Sequence, residues 1–408
     1  MNPKYKKTTQ DDPEKGPNDE QLVREETVWI PHVHTSEYSD GEMTAALLFE
    51  NALAGGIHHI SITDHDSIGV HKRYKKNFRY PEGYSRVYVK SKNQYVNLIS
   101  GVEVSCHIHY KVLGNKPCLI ETNKRNLLEL EILGYGFDPK DAYLDKLCKF
   151  NRDSRFNWLE RVVGNLGKEF GKKKISIRHF KNLKFVGKPH VVEQMLKSGI
   201  ITDKEQGFAM LSKGGKFYLP KKTAYLDDAI QRIEQAGGRC GLPHPAIIAK
   251  EHGFQNDEVV AELFSNYFAG RLLKKDFVFV EAYYPYAIRR KRLFTKEEQD
   301  KSNYFWYKFA QEHDLIDMWV SDYHKEGHGV KLDAFTPPLD TTLDKLLELR
   351  IQGMALFKMK CQDDDLEELE NEELADDDAL PEDDNLPMPE EKPVEQTVEP
   401  DLDLDHFG

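Results

Sequence analysis

Apolar and polar positions along the chain alternate in the way expected of short strands and helices. Residues 43–54 carry apolar side chains at helical spacing and end at a Gly-Gly pair that favours a helix cap. The pattern also predicts helices at 227–236, 303–313 and 343–352, and strands at 27–34, 58–63, 95–104, 129–137, 239–242, 277–282 and 318–321. This repeated order of strand, loop and helix predicts an α/β fold with a parallel barrel or an open sheet.

One long segment breaks this alternation. Residues 141–228 show helical periodicity almost throughout and are rich in lysine and arginine. We therefore predict a helical insertion between two parts of one barrel. The predicted organisation is a flexible segment at 1–26, the first part of the barrel at 27–140, the helical insertion at 141–228 acting as a substrate lid, the second part at 229–360, and a disordered acidic tail at 361–408.

The charge of the chain is unevenly distributed. Residues 361–408 contain 21 acidic residues and one lysine, a net charge of −20, whereas the whole chain carries −12, so residues 1–360 are mildly basic. The tail can solvate the chain, fold back on the basic insertion, or offer the segment 402–407 to a protein partner. These three roles stay open.

The composition also indicates where in the cell the protein is expected. No stretch approaches the roughly eighteen apolar residues of a membrane span, and residues 1–26 lack the apolar centre of a signal peptide, so we expect a cytoplasmic protein with no membrane partner. The five cysteines are an odd number without a close pair. They predict neither a disulfide framework nor a Cys-x-x-Cys zinc site.

Histidines and carboxylates follow most of the predicted strands. His32 and His34 are two residues apart, so on an extended backbone both rings leave the same face and can bind one ion. The full set is His32, His34, Asp40, His65, Glu103, His244, Asp322 and His324. Five imidazoles and three carboxylates suit two or three divalent ions such as zinc, manganese or iron.

Six short stretches occur in an order that resembles the PHP family, the polymerase and histidinol phosphatase superfamily of metal-dependent phosphoesterases. They are His-Val-His with Ser-Asp-Gly, then Ile62–Gly69, Gly101–Ser105, Ile132–Phe137, Pro243–Pro245 and Ser321–His324. The resemblance covers about residues 27–356 and implies an irregular (β/α)7-type barrel. It also implies hydrolysis of phosphate esters by a metal-bound water, without a protein nucleophile.

The insertion narrows this resemblance. Asn151-Arg152 to Arg155, Gly187–His190 and Tyr218–Pro220 look like the helical insert of one branch, which includes 3′,5′-bisphosphonucleotide phosphatases and 5′-to-3′ oligoribonucleases. We therefore predict a phosphatase or nuclease acting on nucleotides or short oligonucleotides. A histidinol-phosphate-like phosphatase of small metabolites is one alternative. A non-catalytic binding protein on a degenerate site is the other.

Four basic residues of the insertion are candidates for binding a substrate phosphate. Lys188 and His190 lie at the start of a predicted helix, where backbone amides favour an anion. Arg152 and Arg155 are spaced for one helix face and can grip a phosphate bidentately. A solvated helix surface is the alternative for both pairs.

The resemblance implies a role for each metal ligand. His32, His34, Glu103 and Asp322 would hold one ion, and Glu103 would bridge to a second ion held also by His244. Asp40, His65 and His324 would hold a third.

Three positions depart from the family pattern. Pro31 stands where the family usually has Asp, which predicts that a supporting carboxylate is missing. Five residues separate His34 from Asp40 where four are usual, which predicts a displaced Asp40. The last histidine ligand of the family is replaced by Glu131, with His107 or His109 as alternative ligands.

Overall fold

The computed structural model describes residues 29–79, 83–113, 116–120, 126–212, 214–268 and 276–324. The predicted helix at 343–352, the segment 1–26 and the acidic tail lie outside these residues. The strands are β1 Trp29–Val33, β2 His59–Ile62, β3 Phe78–Arg79, β4 Tyr84–Val89, β5 Gln94–Leu113, β6 Lys116–Ile120, β7 Asn126–Tyr135, β8 Ala224–Tyr225, β9 Arg239–Leu242, β10 Phe277–Tyr283 and β11 Ile316–Trp319.

Eleven α-helices and two short 3-10 helices, at Lys75–Asn77 and Ile177–Phe180, accompany these strands in the described residues. The α-helices are α1 Ala45–Ala54, α2 Gly69–Arg73, α3 Ala142–Phe170, α4 Lys188–Lys197, α5 Lys204–Leu211, α6 Leu226–Gln235, α7 Pro245–His252, α8 Asp257–Leu263, α9 Ser265–Phe268, α10 Tyr286–Arg289 and α11 Lys296–Glu312. None of them is long and apolar enough to span a bilayer.

One mixed sheet organises the fold. Its central path runs β1-β2-β5-β7-β9-β10-β11. The sheet curls, because the segment after β11 returns to β1: the backbone N–H of His34 donates to the carbonyl of Tyr323 over 3.0 Å. The curled path confirms the predicted α/β fold with an irregular barrel-type sheet.

The expectation of an all-parallel sheet is wrong at β7. This strand pairs antiparallel with both β5 and β9. The reason is that β5 runs on past residue 104 to Leu113, with apolar Cys106, Ile108 and Tyr110 alternating with polar positions. That alternation has the period of a strand, so the chain returns directly as a hairpin partner and needs no crossover helix.

The segment predicted as an insertion contains α3, α4 and α5 and packs around an apolar cluster of its own. Trp158 and Val162 of α3 meet Val191 and Met195 of α4 in this cluster, all of them buried. Asp141 begins α3 by accepting a hydrogen bond from the N–H of Leu144, as an N-cap does. The opposite side of α3 turns Asn151 and Arg155 towards the barrel, where both are buried.

Candidate metal centre

Strand ends deliver the predicted ligands to one place. His32 lies on β1 and His34 follows it, Glu103 lies on β5, and His65, His244 and Asp322 follow β2, β9 and β11. Apart from His244, which lies 3.0 Å from Glu103, the ligand atoms fall into three groups that each could hold an ion: His32, His34 and Asp322; His34, Asp40, His65 and His324; and His65, Glu103 and Glu131.

The first group is fully enclosed. The Nε2 atoms of His32 and His34 lie 3.0 Å apart. Oδ1 of Asp322 lies 3.5 Å from Nε2 of His32 and 3.3 Å from Nε2 of His34. Two imidazole nitrogens and a carboxylate oxygen thus converge on one point, as the spacing of two residues on β1 predicts.

The second group includes Asp40 despite the longer loop. Its Oδ1 lies 3.2 Å from Nε2 of His324 and 3.8 Å from Nε2 of His65. The loop stays close because Gly41 packs on the backbone of His34: a Cβ at position 41 would lie 2.1 Å from the His34 carbonyl oxygen. The extra residue therefore does not displace Asp40 from the cluster.

The third group contains Glu131. Its Oε1 lies 3.4 Å from Nδ1 of His65, and its Oε2 lies 3.8 Å from Nε2 of His244. The structure places the alternatives elsewhere: Nδ1 of His107 lies 3.0 Å from the Thr223 hydroxyl. The ring of His109 packs on Tyr225.

Glu103 lies between the groups. Its Oε2 is 3.1 Å from Nδ1 of His65 and 3.3 Å from the Nε2 atoms of both His32 and His34. Its Oε1 is 3.0 Å from Nε2 of His244. With both oxygens directed to different histidines, this carboxylate has the geometry to bridge two ions.

The pKa values of the cluster follow from buried charges of opposite sign. Burial alone would lower the pKa of the His34 imidazole, but hydrogen bonds to Asp322 and Glu103 raise it to about 10. Burial likewise opposes ionisation of Glu103, yet His65 and His32 hold the pKa of that carboxyl well below its usual range. Glu131 differs: burial and the nearby Glu103 raise its pKa. Without an ion, protons on histidine neutralise the carboxylates.

The cluster suits divalent ions by two observations. Nδ1 of the His65 ring is buried and forms no hydrogen bond of normal geometry, although carboxylate oxygens of Glu103 and Glu131 lie 3.1 and 3.4 Å away. An unpaired buried nitrogen is costly unless a ligand uses its lone pair. The donors are imidazole nitrogens and carboxylate oxygens, which are ligands for zinc, manganese and iron.

Comparison with known proteins agrees with this site. A family model described as the PHP domain matches residues 31–212. The chain contains a PHP domain. The matched residues include the ligands from β1 to β7 and most of the helical segment.

One protein sequence and two solved structures are similar to this chain. A 3′,5′-nucleoside bisphosphate phosphatase of Chromobacterium violaceum is 24% identical over 217 residues, which make up 52% of this chain and 65% of that protein. The match therefore spans less than two thirds of the relative. A structure assigned as a metal-dependent phosphoesterase, from Bifidobacterium adolescentis, has a TM-score of 0.56 at 19% identity, over 79% of this chain and 96% of that one.

A structure described as an amidohydrolase with bound sulfate, from Chromobacterium violaceum, gives a TM-score of 0.53 at 20% identity, over 79% of this chain and 96% of that chain. At these identities the two structures show similarity of fold alone, and their coverage carries that similarity beyond residues 31–212.

Sequence reasoning missed the carboxylates that support the ligands of this PHP domain. Glu281 lies 2.7 Å from Nδ1 of His32, so the carboxylate expected to be missing beside Pro31 is supplied from β10 instead. Asp64 accepts hydrogen bonds from the N–H and the hydroxyl of Thr35, at 2.6 and 2.7 Å. The available signal was a single glutamate inside the apolar run at 277–282.

The two arginines of the helical segment serve different contacts from those expected. Arg155 donates to Asp66 over 2.6 Å and to the Ser105 hydroxyl over 2.8 Å, and it is buried. Arg152 donates to the backbone carbonyl of Asp66 over 2.5 Å. Both therefore fasten α3 to the barrel in this structure, and a direct grip on substrate by them remains a proposal.

Lys188 and His190 lie at the start of α4, beside the cluster. The ring of Phe185 lies between His190 and the ligands, because it stacks on His65 at 5.4 Å and contacts His190 at 6.1 Å. Nδ1 of His190 accepts from the N–H of Gly187. Burial lowers the pKa of His190, so its imidazole is favoured in the neutral form.

The raised pKa values of His32 and His34 predict pH-dependent metal binding. The raised pKa values mean that both imidazoles bind protons more readily than a free histidine, and an ion must displace those protons to be coordinated. Mn²⁺ affinity should therefore rise with pH between pH 6 and 8, by about tenfold per pH unit for each proton displaced. Calorimetry in buffers of different ionisation enthalpy counts those protons. A pH-independent affinity would contradict the assignment.

Proposed function

We propose that this chain is a metal-dependent phosphoesterase that hydrolyses phosphate esters of nucleotides or short oligonucleotides. The observation that carries the proposal is the convergence of eight predicted ligands into three ion-sized groups, with His244 beside Glu103, in a chain whose residues 31–212 match the PHP domain. Two or three bound divalent ions would polarise the phosphate and lower the pKa of a water molecule. Manganese, zinc and iron are the ions that the ligand set favours.

Each ligand keeps the role that the family resemblance implies. His32, His34 and Asp322 would hold one ion, Asp40, His65 and His324 a second, and Glu131 and His244 a third, with Glu103 bridging. The protein's own contribution is to hold these donors rigidly, since most of them are buried at strand ends. A phosphate ester would bind over the half-buried side of the cluster, where Asp40, Glu131 and His324 lie.

Basic side chains beside Glu131 support an anionic substrate. Lys221 lies with its ammonium 5.8 Å from the centre of the Trp158 ring. The charges of Arg155 and Lys188 lower the pKa of Lys221, and the charge of Glu131 raises it, so these groups lie near one another. Among the described residues neither lysine forms an ion pair with a carboxylate, so both are available for a phosphate. Lys221 was not predicted as a site residue.

A nucleotide substrate is supported by the name of one relative and by these lysines. The deciding experiment compares a 3′,5′-bisphosphonucleotide, a short 5′-phosphorylated RNA and histidinol phosphate as substrates of the full chain in Mn²⁺. We expect the highest kcat/KM with one of the two nucleotide substrates. Preference for histidinol phosphate would contradict the nucleotide assignment, and no hydrolysis of any of them would contradict the phosphoesterase.

Substitution of Lys221 tests whether the basic side chains beside Glu131 bind the substrate phosphate. Burial and the charge of Arg155 lower the pKa of Lys221 to about 8, so its ammonium is lost as pH rises through that value. Lys221→Met should raise KM by about 10-fold or more with little change in kcat, because a charge-assisted hydrogen bond to phosphate is lost. KM of the wild type should rise above pH 8 and that of the variant should not. The exposed neighbour provides the control, Lys222→Met, with KM unchanged.

A further inference from the structure

Glu281 is a charged residue at the centre of the barrel that the proposed chemistry does not use. It lies on β10 in the apolar sequence Phe-Val-Phe-Val-Glu-Ala-Tyr and is completely buried. A buried carboxylate is costly unless both of its oxygens are satisfied. Here each oxygen has one short contact, and each contact leads to a different metal ligand.

The first contact fixes the ring of His32. Oε1 of Glu281 lies 2.7 Å from Nδ1 of His32, and a carboxylate accepts the N–H there. Nε2 then keeps its lone pair and faces the cluster, 3.3 Å from Oε2 of Glu103 and 3.0 Å from Nε2 of His34. Such a partner on the far nitrogen sets both the tautomer and the orientation of a ligating imidazole.

The second contact fixes the backbone of His244. Oε2 of Glu281 accepts a hydrogen bond of 2.7 Å from the N–H of His244. That residue has φ 29° and ψ 55°, a left-handed conformation that residues with a side chain seldom adopt. The contact therefore helps to hold a strained backbone that directs the His244 ring to Glu103.

We propose that Glu281 is a positioning residue that organises two metal ligands at once, the ring of His32 and the backbone of His244. The inference rests on the proposed metal-dependent function. Since the two ligands belong to different ions, loss of this one carboxylate should weaken the binding of both ions, although Glu281 coordinates neither.

The substitution Glu281→Gln removes the charge and one hydrogen-bond acceptor while it keeps the shape of the side chain. The amide has nearly the size of the carboxylate, but one of its two ends is an NH₂ group that donates only. In Glu281→Gln either the Nδ1–H of His32 or the N–H of His244 must face that donor. Glu281→Asp keeps two acceptors on a side chain one methylene shorter, so it should recover part of the binding that glutamine loses.

The test measures metal binding directly. We expect Glu281→Gln to weaken Mn²⁺ binding of the full chain by about 10- to 100-fold in calorimetry, with fewer ions retained after dialysis, and Glu281→Asp to lie between it and the wild type. Glu298→Gln is the control, because that exposed carboxylate pairs with Lys250. Circular dichroism of the metal-free proteins checks that the variants are folded.

A spectroscopic signal tests the same contact in the wild type, independently of whether a variant folds. In the Zn²⁺-loaded protein with ¹⁵N-labelled histidine, the Nδ1–H of His32 should give a protected, downfield proton signal. Glutamine variants that bind Mn²⁺ as tightly as the wild type, or absence of the His32 signal, would overturn the proposal. A wild type that binds metal but hydrolyses no phosphate ester would instead overturn the proposed function.

Discussion

Glu103→Gln is expected to lower kcat/KM for a phosphate ester by at least about 1,000-fold, equivalent to about 4 kcal/mol of transition-state stabilisation. The reason is position: the two oxygens of Glu103 approach four of the histidine ligands between 3.0 and 3.3 Å. A neutral amide keeps the shape of the side chain but loses the negative charge that two neighbouring cations require, so ions should be lost from more than one group.

The measurement is steady-state hydrolysis in Mn²⁺ together with the number of ions retained per chain. Glu169→Gln is the matched control, since that exposed carboxylate of α3 pairs with Lys216. The control should behave as the wild type. A Glu103→Gln protein that keeps its full metal content and more than a tenth of its activity would exclude Glu103 as the bridging ligand.

Asp66→Ala is expected to reduce the free energy of unfolding by about 3–5 kcal/mol, the usual cost of removing one partner of a buried ion pair. The Asp66 carboxylate accepts hydrogen bonds from Arg155 at 2.6 Å, from Asn151 at 2.7 Å and from the N–H of Ser105 at 2.8 Å. It thereby joins α3 to β5, and the substitution leaves a buried guanidinium without its counter-ion.

Urea denaturation measures this effect as a shift of the midpoint at constant slope. The double variant Asp66→Ala Arg155→Met should be less destabilised than the sum of the two single variants, because it leaves no unpaired charge. Asp153→Asn on the same helix is the control: it breaks the exposed pair with Lys149 and should change stability by about 1 kcal/mol or less. Equal effects of the buried and exposed substitutions would contradict the account.

Local sequence patterns predicted the parts of the site that depend on spacing along the chain. The two-residue separation of His32 and His34 determines that both rings leave the same face of the extended backbone at the end of β1. The other ligands follow the ends of predicted strands, which predicts that they meet at one edge of the sheet. The structure places eight of the nine candidate ligands in the three groups, including Glu131, and it places the ninth, His244, 3.0 Å from Oε1 of Glu103.

Contacts between distant segments could not be predicted in the same way. The direction of β7 depends on how far β5 continues, and the role of Glu281 depends on a neighbour 249 residues away in the sequence. Arg155 illustrates the same limit. Its spacing suggested a phosphate ligand, but only the fold shows that Asp66 is its partner.

Backbone conformations at the site are a further feature that the sequence did not predict. Asp66, His244 and Asp322 all have positive φ, at 52°, 29° and 45°. None of them is glycine, and although aspartate and histidine adopt a left-handed backbone more often than most residues, they do so in only a few per cent of cases, so residue type alone does not predict it. Hydrogen bonds from other strands maintain these conformations at the site, and such bonds exist only once the sheet is assembled.

Metal removal and restoration is the most direct test of the central claim. The full chain is stripped with a chelator, dialysed, and assayed for phosphate release from a 3′,5′-bisphosphonucleotide before and after Mn²⁺ is added back, with bound ions counted by mass spectrometry. We predict no hydrolysis by the stripped protein, recovery with Mn²⁺, and at least two ions per chain, as the three groups of ligands imply. Hydrolysis that persists without metal, or less than one tightly bound ion per chain, would contradict it.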